Sequence, residues 1–440
     1  MENKVTRAKI SGARAAVGGL IACLAWPGGW ASAGIAVNEY DTQSQGQLSV
    51  YYPGTNAGLY AIETTVSSQN RTTKSWLQLA GVGGKPPMAA GSGIASYNNT
   101  IWNAPEVFYL TNVNNAVHVE QLWGTTASAS DLTAFTGAMA AAAGSSVVGY
   151  IDSCAQSDNV FYVGSDQHVH LLRWSPSTGW QTADLTRLSG SVPAAGTALA
   201  GHEMAQSEEI FFLGSDQHVH ELWQWSGCTG GPLPDGWHST DVNQASRNGA
   251  PNALSGSALT GFFDGEGSQW LDAVFYVDVN HNLQEIYFSN TLAPIGSWEN
   301  VNLTLMSGAP AVAGNSLASV IVPRLGAAPE AVFFIDARSN VWQLSGVPLF
   351  VGNDLSWSAT NITLAAGAPA ATTSSPLAAA DSGILVGCYF DGTNICELGD
   401  LQELVYYVDA GGDIHSLGYV PNISRWTTAD ITRGVAAPKY

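Results

Sequence analysis

Seven copies of one segment, a branched apolar residue followed by two aromatic residues, constrain the fold of this 440-residue chain more than any other feature. The copies recur at intervals of 50 to 73 residues and begin at Val50, Val107, Val160, Ile210, Val274, Val332 and Val405. A period of this size is typical of four-stranded sheets that pack face to face around an axis. The sequence therefore predicts an all-β, seven-bladed β-propeller with four antiparallel strands per blade.

Each copy has the same internal order of segments. A strand of small residues precedes the aromatic strand; a turn such as GSDQH leads to a third strand such as VHELW, and a fourth strand such as GWQTADLT follows. Because Gly and Ala permit close approach, we expect the small-residue strand to be innermost. On this register each blade uses four consecutive strands, so the ring closes by packing and not by a shared strand. The predicted blades, in a single domain, span approximately 34–88, 89–143, 144–193, 194–253, 254–312, 313–380 and 381–440.

The first 33 residues have the pattern of a secretory signal peptide. Four basic residues precede the apolar run AAVGGLIACLAW, and Ala31–Ala33 reads ASA, a small-residue cleavage site. We therefore expect secretion, to the extracellular space or the periplasm, with cleavage near Ala33. A lipoprotein anchored through Cys23 is the alternative. No later stretch has the ~18 consecutive apolar residues of a membrane span, so no span is predicted.

The charge of the chain disfavours one class of partner. The net charge is −20, and loss of residues 1–33, with four basic residues and one acid, makes it more negative by 3. Such a surface repels phosphate groups, so nucleic acid is not an expected partner.

Four cysteines follow the signal segment. Cys388 and Cys396 flank a segment whose Asp-Gly pair suits a turn, so they are the best candidates for a disulfide in an exported protein. The state of Cys154 and Cys228 stays open. No CxxC pair or zinc-binding spacing occurs, and no cofactor is predicted.

The motif GSDQHVH occurs in blades 3 and 4 and raises the question of a metal site. His168 and His170 share one face of a strand, as do His218 and His220, and this spacing suits metal ligation. Alignment of the third strands, however, puts Tyr60, His118, Gln284, Trp342 and His415 where His170 and His220 stand, so the position also accepts Tyr, Gln and Trp. A structural or hydrogen-bonding role is therefore preferred, and no metal is predicted.

A second repeated pattern lies in the fourth strand. A tryptophan precedes an Asp or Asn by four residues, as in Trp180 with Asp184, Trp237 with Asp241, Trp298 with Asn302, Trp357 with Asn361, and Trp426 with Asp430. An aromatic ring beside a carboxylate or amide is the pairing that a sugar site needs. The alternative is that the tryptophan fills the space between blades and the acid caps a loop. A further aromatic set, which includes Trp223, ends the third strand near the blade rim.

Catalytic motifs are weak in this chain. No arginine recurs at one repeat position, and no GxSxG nucleophile motif is present. The acidic residues with the chemistry for a catalytic pair are Glu208, Glu209, Asp264, Glu266 and Asp272, which we interpret mostly as solvated loop charges. The sequence therefore predicts a protein that is not an enzyme.

The pattern VFY-x-GSDQHVHELxW, followed by GW-x3-DLT and GAP-x-A-x-GSAL, resembles the bacterial seven-bladed β-propeller lectins of the Photorhabdus fucose-binding type. The resemblance extends over residues 34–440 and is greatest between Asn159 and Leu259. It implies a non-catalytic lectin with sugar sites repeated around the ring for fucose or O-methylated sugars. Blades 1 and 2 depart from the pattern because Ala80 and Ala127 replace members of the Trp/Asp pair, so fewer than seven sites are expected.

These observations predict a secreted, multivalent carbohydrate-binding protein whose partners are glycans or glycoconjugates. A homo-oligomer is compatible with the sequence. The candidate sugar-binding residues are Trp180, Asp184, Trp237, Asp241, Trp426, Asp430, Trp298, Trp357, His168, His170, His218, His220 and Trp223. The alternatives are a propeller scaffold that binds another protein and, ranked lower, a glycan-cleaving enzyme.

Overall fold

The structure is a computed structural model. It describes residues 34–42, 45–67, 72–101, 104–123, 128–152, 155–204, 207–225, 236–266, 269–289, 296–321, 330–346, 356–381, 403–420 and 424–440. The predicted signal peptide, residues 1–33, and the cysteines Cys23, Cys388 and Cys396 lie outside these ranges.

The described residues form seven antiparallel sheets, each with four strands that are consecutive in sequence. We number them as blades in chain order. Blade 1 contains β1 (Ala36–Thr42), β2 (Gln45–Pro53), β3 (Leu59–Ser67) and β4 (Thr72–Gln78). Blade 2 contains β5 (Ile94–Asn99), β6 (Ala104–Val113), β7 (Ala116–Trp123) and β8 (Ser128–Asp131). Blade 3 contains β9 (Val147–Asp152), β10 (Ser157–Val163), β11 (Val169–Ser175) and β12 (Gly179–Asp184).

The remaining blades follow the same order. Blade 4 contains β13 (Ala194–Met204), β14 (Ser207–Gly214), β15 (Val219–Trp225) and β16 (His238–Asp241). Blade 5 contains β17 (Leu259–Glu266), β18 (Gln269–Val277), β19 (Leu283–Ser289) and β20 (Trp298–Asn302). Blade 6 contains β21 (Val312–Ile321), β22 (Glu330–Asp336), β23 (Val341–Gly346) and β24 (Trp357–Asn361). Blade 7 contains β25 (Ala378–Asp381), β26 (Glu403–Val408), β27 (Ile414–Val420) and β28 (Arg425–Asp430).

A short helix follows the fourth strand in blades 2 to 7. These helices are α1 (Leu132–Thr136), α2 (Leu185–Ser189), α3 (Val242–Ala245), α4 (Leu303–Ser307), α5 (Ile362–Ala366) and α6 (Ile431–Gly434). Because strand direction alternates within a blade, the helices lie on the same face of the ring as the turns between the second and third strands. We call this the helix face. Backbone hydrogen bonds join its parts: the N–H of Ser165, in such a turn, donates to the carbonyl of Ala140 in the preceding linker.

The first strands contact one another around the whole ring, including β1 with β25. The small-residue segments are therefore innermost, as the sequence predicts. No described sheet combines strands from both ends of the chain. The architecture confirms the prediction of a seven-bladed β-propeller with four antiparallel strands per blade.

The core consists of seven buried apolar clusters, each formed by two adjacent blades. The cluster that closes the ring joins Ile35 and Tyr52 of blade 1 to Ala378 and Tyr406 of blade 7. The second strands are buried along their whole length in β10 and β14, which explains their continuous apolar sequence. Burial between blades is thus the dominant stabilising interaction of the fold.

The fourth-strand tryptophans are part of these interfaces. Each indole packs edge to face, at centroid distances of 6.2 to 6.5 Å, on a phenylalanine from the second strand of the preceding blade. The pairs are Trp180 with Phe108, Trp237 with Phe161, Trp298 with Phe211, Trp357 with Phe275, and Trp426 with Phe333. Trp180 is half-buried and the other four are buried.

Candidate functional site

A tight turn joins the second and third strands of blade 3 on the helix face. Gln167 has a φ of 65°, and the backbone N–H of His168 donates to Oδ1 of Asp166 at 3.1 Å. Gly164 leaves the space that this arrangement needs, because a Cβ there would lie 2.4 Å from Oδ1 of Asp166 and 2.6 Å from Cδ2 of His170. The Gly and Asp of GSDQH are therefore both required by the conformation of this turn.

Two carboxylates hold the two imidazoles of blade 3. Nδ1 of His168 lies 2.8 Å from Oδ2 of Asp184, and Nε2 of His170 lies 3.1 Å from Oδ1 of Asp166. His170 is buried and stacks on Tyr162, whereas the His168 and Asp184 side chains are 29% and 26% exposed. We call Asp166, His168, His170 and Asp184 the blade 3 cluster.

Blade 4 repeats the arrangement. Nδ1 of His218 lies 2.9 Å from Oδ2 of Asp241, and Nε2 of His220 lies 3.1 Å from Oδ1 of Asp216. We call these four residues the blade 4 cluster. The structure thus joins the His-x-His pair to the Asp of the fourth strand, two patterns that are separate in the sequence.

The same aspartates begin the short helices. Asp184 has an extended conformation at the N-cap of α2, and its Oδ1 accepts from the backbone N–H of Arg187 at 2.9 Å. The Thr of the DLT motif also connects α2 to β11, since Oγ1 of Thr186 accepts a hydrogen bond from the backbone N–H of Val169 at 2.9 Å. Asn302 and Asn361 are equivalent N-caps in blades 5 and 6. A capping role therefore explains why Asp or Asn recurs at this position.

Blade 2 requires a correction to the alignment. His118 does not occupy the place of His170: its Nδ1 lies 2.7 Å from Oδ2 of Asp131, so it corresponds to His168. The strand register agrees, because Glu120 pairs with Asp131 in the way that His170 pairs with Asp184. The hairpin between the second and third strands of blade 2 differs in length, which displaces the alignment by two residues.

The other blades keep a polar contact at the equivalent of His170. In blades 5 to 7 an aspartate stands at the position of Gly164, and its carboxylate takes the place of Asp166. The contacts are Gln284 with Asp278 at 2.7 Å, Trp342 with Asp336 at 2.8 Å, and His415 with Asp409 at 3.1 Å. In blade 1, Asn56 donates to Oη of Tyr60 at 2.8 Å. These blades lack the exposed imidazole and carboxylate pair of blades 3 and 4.

Contacts within the blade 3 and blade 4 clusters shift the pKa values of their side chains. Partial burial acts to raise the pKa of Asp166, but hydrogen bonds from the His168 backbone and the His170 ring lower it below its ordinary value, and Asp216 behaves in the same way. Burial acts to lower the pKa of His218, but Asp241 raises it. Each cluster therefore presents fixed negative oxygens beside an imidazole.

An apolar side chain lies beside the turn of blade 3 that carries Asp166. Met139, in the linker from blade 2, is 42% exposed, and its Sδ lies 3.5 Å from Oγ of Ser165. In blade 4, Val192 has the equivalent linker position and is half-buried. The helix face also exposes apolar residues of the helices, such as Phe135 and Leu364. Polar groups and apolar surface therefore lie side by side on this face.

The structure separates the predicted tryptophans from the clusters. Trp237 is 3% exposed and Trp426 is 6% exposed, so their ring faces are covered by neighbouring blades and offer no open stacking surface. Trp298 and Trp357 are equally buried. Trp223, at the opposite face, is half-buried, donates from Nε1 to Thr240 at 3.2 Å, and packs on His238 with a ring distance of 4.6 Å.

Asp166 and Asp216 are absent from the predicted site residues, although both lie within the motif GSDQHVH. The signal is an acid two residues before the first histidine, in a turn whose next residue has a positive φ.

The prediction of solvated loop charges is wrong for three acids. Glu208, Glu209 and Asp272 lie on strands with no more than 1% of their surface exposed.

Three groups of described residues have the composition of metal sites. Two belong to the blade 3 and blade 4 clusters, and the third consists of His202, Glu209 and Asp272. In the blade 3 group each residue already has a hydrogen-bond partner within the repeat. Hydrogen bonding therefore accounts for the His-x-His pairs.

None of the helices in the described ranges has the length and apolar character needed to cross a bilayer.

No protein-family model matches this sequence, and no curated protein matches it. Solved structures with a similar chain path include a mutant of AofleA from Arthrobotrys oligospora, 11% identical with a TM-score of 0.47 over 80% of this chain and 91% of that chain. The fucose-specific lectin from Aleuria aurantia is 14% identical with a TM-score of 0.43 over 74% and 93%. The Trypanosoma rangeli sialidase is 9% identical with a TM-score of 0.33 over 73% and 53%. At these values the similarity carries no argument about ligands or activity.

Proposed function

We propose that this protein is a multivalent carbohydrate-binding propeller that binds sugars at the helix face of blades 3 and 4. The observation that carries the proposal is the exposed imidazole and carboxylate pair, His168 with Asp184, repeated as His218 with Asp241. Two equal sites on adjacent blades suit a ligand that is itself repeated on a surface. A catalytic site needs no such duplication.

The chemistry of the pair matches sugar hydroxyls. A carboxylate accepts hydrogen bonds from hydroxyl groups, and an imidazole can donate or accept, so two neighbouring hydroxyls can be bound at once. Asp184 is held by the N–H of Arg187 and His168 is held by Asp184, so little side-chain freedom is lost on binding. The acidic groups favour neutral sugars over sulfated or phosphorylated ones.

The apolar neighbours suggest the kind of sugar. A methyl group on the ligand, whether the C6 of a deoxy sugar such as fucose or an O-methyl group, would contact Met139 in blade 3 or Val192 in blade 4 while adjacent hydroxyls bind the polar pair. This is the ligand class implied by the resemblance to the Photorhabdus-type lectins. Blade 2, where His118 and Asp131 form the same pair at 2.7 Å, is the next candidate site, and blade 7, with Asp430 and His415, follows it.

Two sites on one rigid ring raise the effective affinity for a surface. A shallow site binds one sugar weakly, whereas simultaneous binding at linked sites increases avidity by roughly 10² to 10⁴ when the geometry allows it. The buried indoles Trp237, Trp298, Trp357 and Trp426 would then act by holding the blades in place, and Trp180 and Trp223 would contribute at the edges.

A glycan array followed by calorimetry tests the proposal. We expect binding of fucosylated or methylated glycans with more than one sugar per chain, and a reduced stoichiometry in the variant Asp184→Asn/Asp241→Asn. Asn keeps the N-cap, as Asn302 and Asn361 show, so the fold should persist. Absence of binding across such glycans, or full binding by the variant, contradicts the proposal.

A protein-binding scaffold is the second candidate, because Phe135, Leu305 and Leu364 are 73%, 80% and 77% exposed on the helix face. Exposed apolar residues of this size are typical of interaction surfaces when they are contiguous. Binding that survives Asp184→Asn/Asp241→Asn but is lost in Phe135→Ser would favour this function.

A further inference from the structure

A buried polar cluster lies between blades 4 and 5, away from the helix-face clusters. It contains His202 of β13, Glu209 of β14 and Glu221 of β15 from blade 4, with Asp272 of β18 from blade 5. Glu209, Glu221 and Asp272 have no exposed surface, and His202 is 8% exposed. We call these four residues the blade 4–5 cluster.

The side chains of His202, Glu209 and Asp272 bring one nitrogen and two carboxylate groups close together. Nε2 of His202 lies 3.1 Å from Oδ1 of Asp272 and 3.7 Å from Oε2 of Glu209. Ligating atoms of these three residues all lie within 4.8 Å of one another. For comparison, two ligands of one tetrahedral zinc ion, each about 2.1 Å from the metal, are about 3.4 Å apart.

Hydrogen bonding leaves part of the cluster unsatisfied. Both carboxylate oxygens of Asp272 and both ring nitrogens of His202 are buried without a hydrogen-bond partner, despite the short distance between the two side chains. Buried polar atoms are normally paired, because an unpaired group costs about 1 to 3 kcal/mol or more. The blade 3 cluster, where the carboxylates and imidazoles are hydrogen-bonded, shows the contrast.

At the neighbouring contacts between blades, the acid at the position of Asp272 has a hydrogen-bonding or cationic partner. Asp158, Glu208 and Asp272 each stand two residues before the apolar residue that opens the aromatic segment. Asn99 donates to Asp158 at 2.8 Å, and Arg173 lies 3.6 Å from Glu208. Asp272 instead faces Glu209, Glu221 and the imidazole of His202.

The composition of the cluster also favours a cation. Glu209, Glu221 and Asp272 are carboxyl groups with no exposed surface, and the imidazole of His202 lies among them. Buried carboxylates are stabilised when they are paired with a positive charge or coordinate a metal ion, so a divalent ion suits this group.

We propose that the blade 4–5 cluster is a structural binding site for a divalent cation, Zn²⁺ by ligand type, that joins blade 4 to blade 5. The ligands are Nε2 of His202, Oε2 of Glu209 and an oxygen of Asp272, with Glu221 beside them. One imidazole with carboxylates is a donor set that zinc accepts, and the burial of all three ligands at the contact of two blades suits an ion with a structural role. This proposal is independent of the proposed sugar binding.

A small cavity lies on the inner side of the ring. It is lined by inner-strand residues of blades 3, 4 and 5, including Gly261 and Gly201, which precedes His202 in the chain. Because binding of metal to the folded state alone stabilises that state, the ion should raise the unfolding temperature, and the rise should grow with the logarithm of the ratio of free ion concentration to Kd.

The experiment measures metal content and stability of the full chain after chelation and dialysis. We expect one Zn²⁺ per chain to return on addition of Zn²⁺, with a rise of several degrees in the unfolding temperature, and a weaker response to Ca²⁺. Co²⁺ in place of Zn²⁺ should give visible absorption bands that report protein ligands directly.

Two variants of the cluster and two controls make the result specific. His202→Gln and Asp272→Asn should lose the bound ion, the absorption bands and the rise in unfolding temperature. Glu208→Gln, at the equivalent position of the next interface, and Asp166→Asn, in the blade 3 cluster, should keep all three. No metal uptake in the original chain, or equal uptake by His202→Gln and Asp272→Asn, would overturn the proposal. If one of the two cluster variants fails to fold, the other variant and the Co²⁺ spectrum of the original chain still test the proposal.

Discussion

Nδ1 of His168 lies 2.8 Å from Oδ2 of Asp184 and so joins the start of the third strand of blade 3 to the N-cap of α2. One carboxylate thus has two partners: Oδ1 caps the helix and Oδ2 holds the imidazole. The same geometry recurs between His218 and Asp241. The stability of α2 and the proposed sugar binding therefore both depend on Asp184. Substitutions at this residue can separate the two roles.

Asp184→Ala should lower the free energy of unfolding by about 1 kcal/mol, because the backbone N–H of Arg187 loses its acceptor. Asp184→Asn should be close to neutral, since Asn302 and Asn361 cap the equivalent helices. Urea unfolding of the two variants measures the difference. Equal destabilisation by Ala and Asn would contradict a capping role.

Gly164→Ala should destabilise the chain by about 1 to 3 kcal/mol, because the added Cβ would lie 2.4 Å from Oδ1 of Asp166. Blade 5 shows how a side chain can be accommodated there: Asp278 stands at this position and Asn280 stands at that of Asp166. The double variant Gly164→Asp/Asp166→Asn should therefore be more stable than Gly164→Ala. Unfolding midpoints in urea compare the two variants. A double variant no more stable than Gly164→Ala would show that blade 3 does not accept the arrangement of blade 5.

Trp237→Ala should cost about 3 to 5 kcal/mol, because the buried indole packs on Phe161 across the interface between blades 3 and 4. Trp225→Ala is the matched control, since Trp225 is 44% exposed, and it should change stability by less than about 0.5 kcal/mol. Guanidinium unfolding followed by circular dichroism provides the measurement. A stable Trp237→Ala would show that the indole is not needed between the blades.

The pair Glu106 and Asp158 should make the chain less stable as pH rises from 4 to 8. Burial raises the pKa of Asp158 to about 8 and that of Glu106 to about 7, well above the values near 4 expected in the unfolded chain. A carboxyl group with a raised pKa in the folded state stabilises fully below its unfolded pKa, and this contribution is lost as pH rises through the folded pKa.

Asp158→Asn removes one of these charges while its side-chain oxygen can still accept from Asn99. The variant should therefore lose less stability between pH 5 and pH 8 than the original chain, by on the order of 1 kcal/mol. Thermal unfolding across that range gives the comparison, with Asp184→Asn as a control whose carboxylate is half-exposed. Parallel stability profiles for Asp158→Asn and the original chain would rule out a role for the pair.

Local patterns predicted the fold because they repeat. The branched and aromatic triplets, the small-residue strands and the DLT segments each recur along the chain, and repetition at about 60 residues has few structural solutions. The site was harder to predict. The alignment error at His118 shows why: a hairpin of different length moves a residue by two positions, and only strand pairing reveals it.

Contacts between blades could not be inferred from any single repeat. His202 and Asp272 are 70 residues apart in sequence, and neither belongs to a motif, yet they lie 3.1 Å apart because two sheets pack face to face. The sequence by itself determined the number of blades and the order of the strands within each blade, since these depend on neighbours within one repeat. Only the tertiary structure decided which tryptophans are covered and which acids are buried, because exposure depends on the adjacent blade.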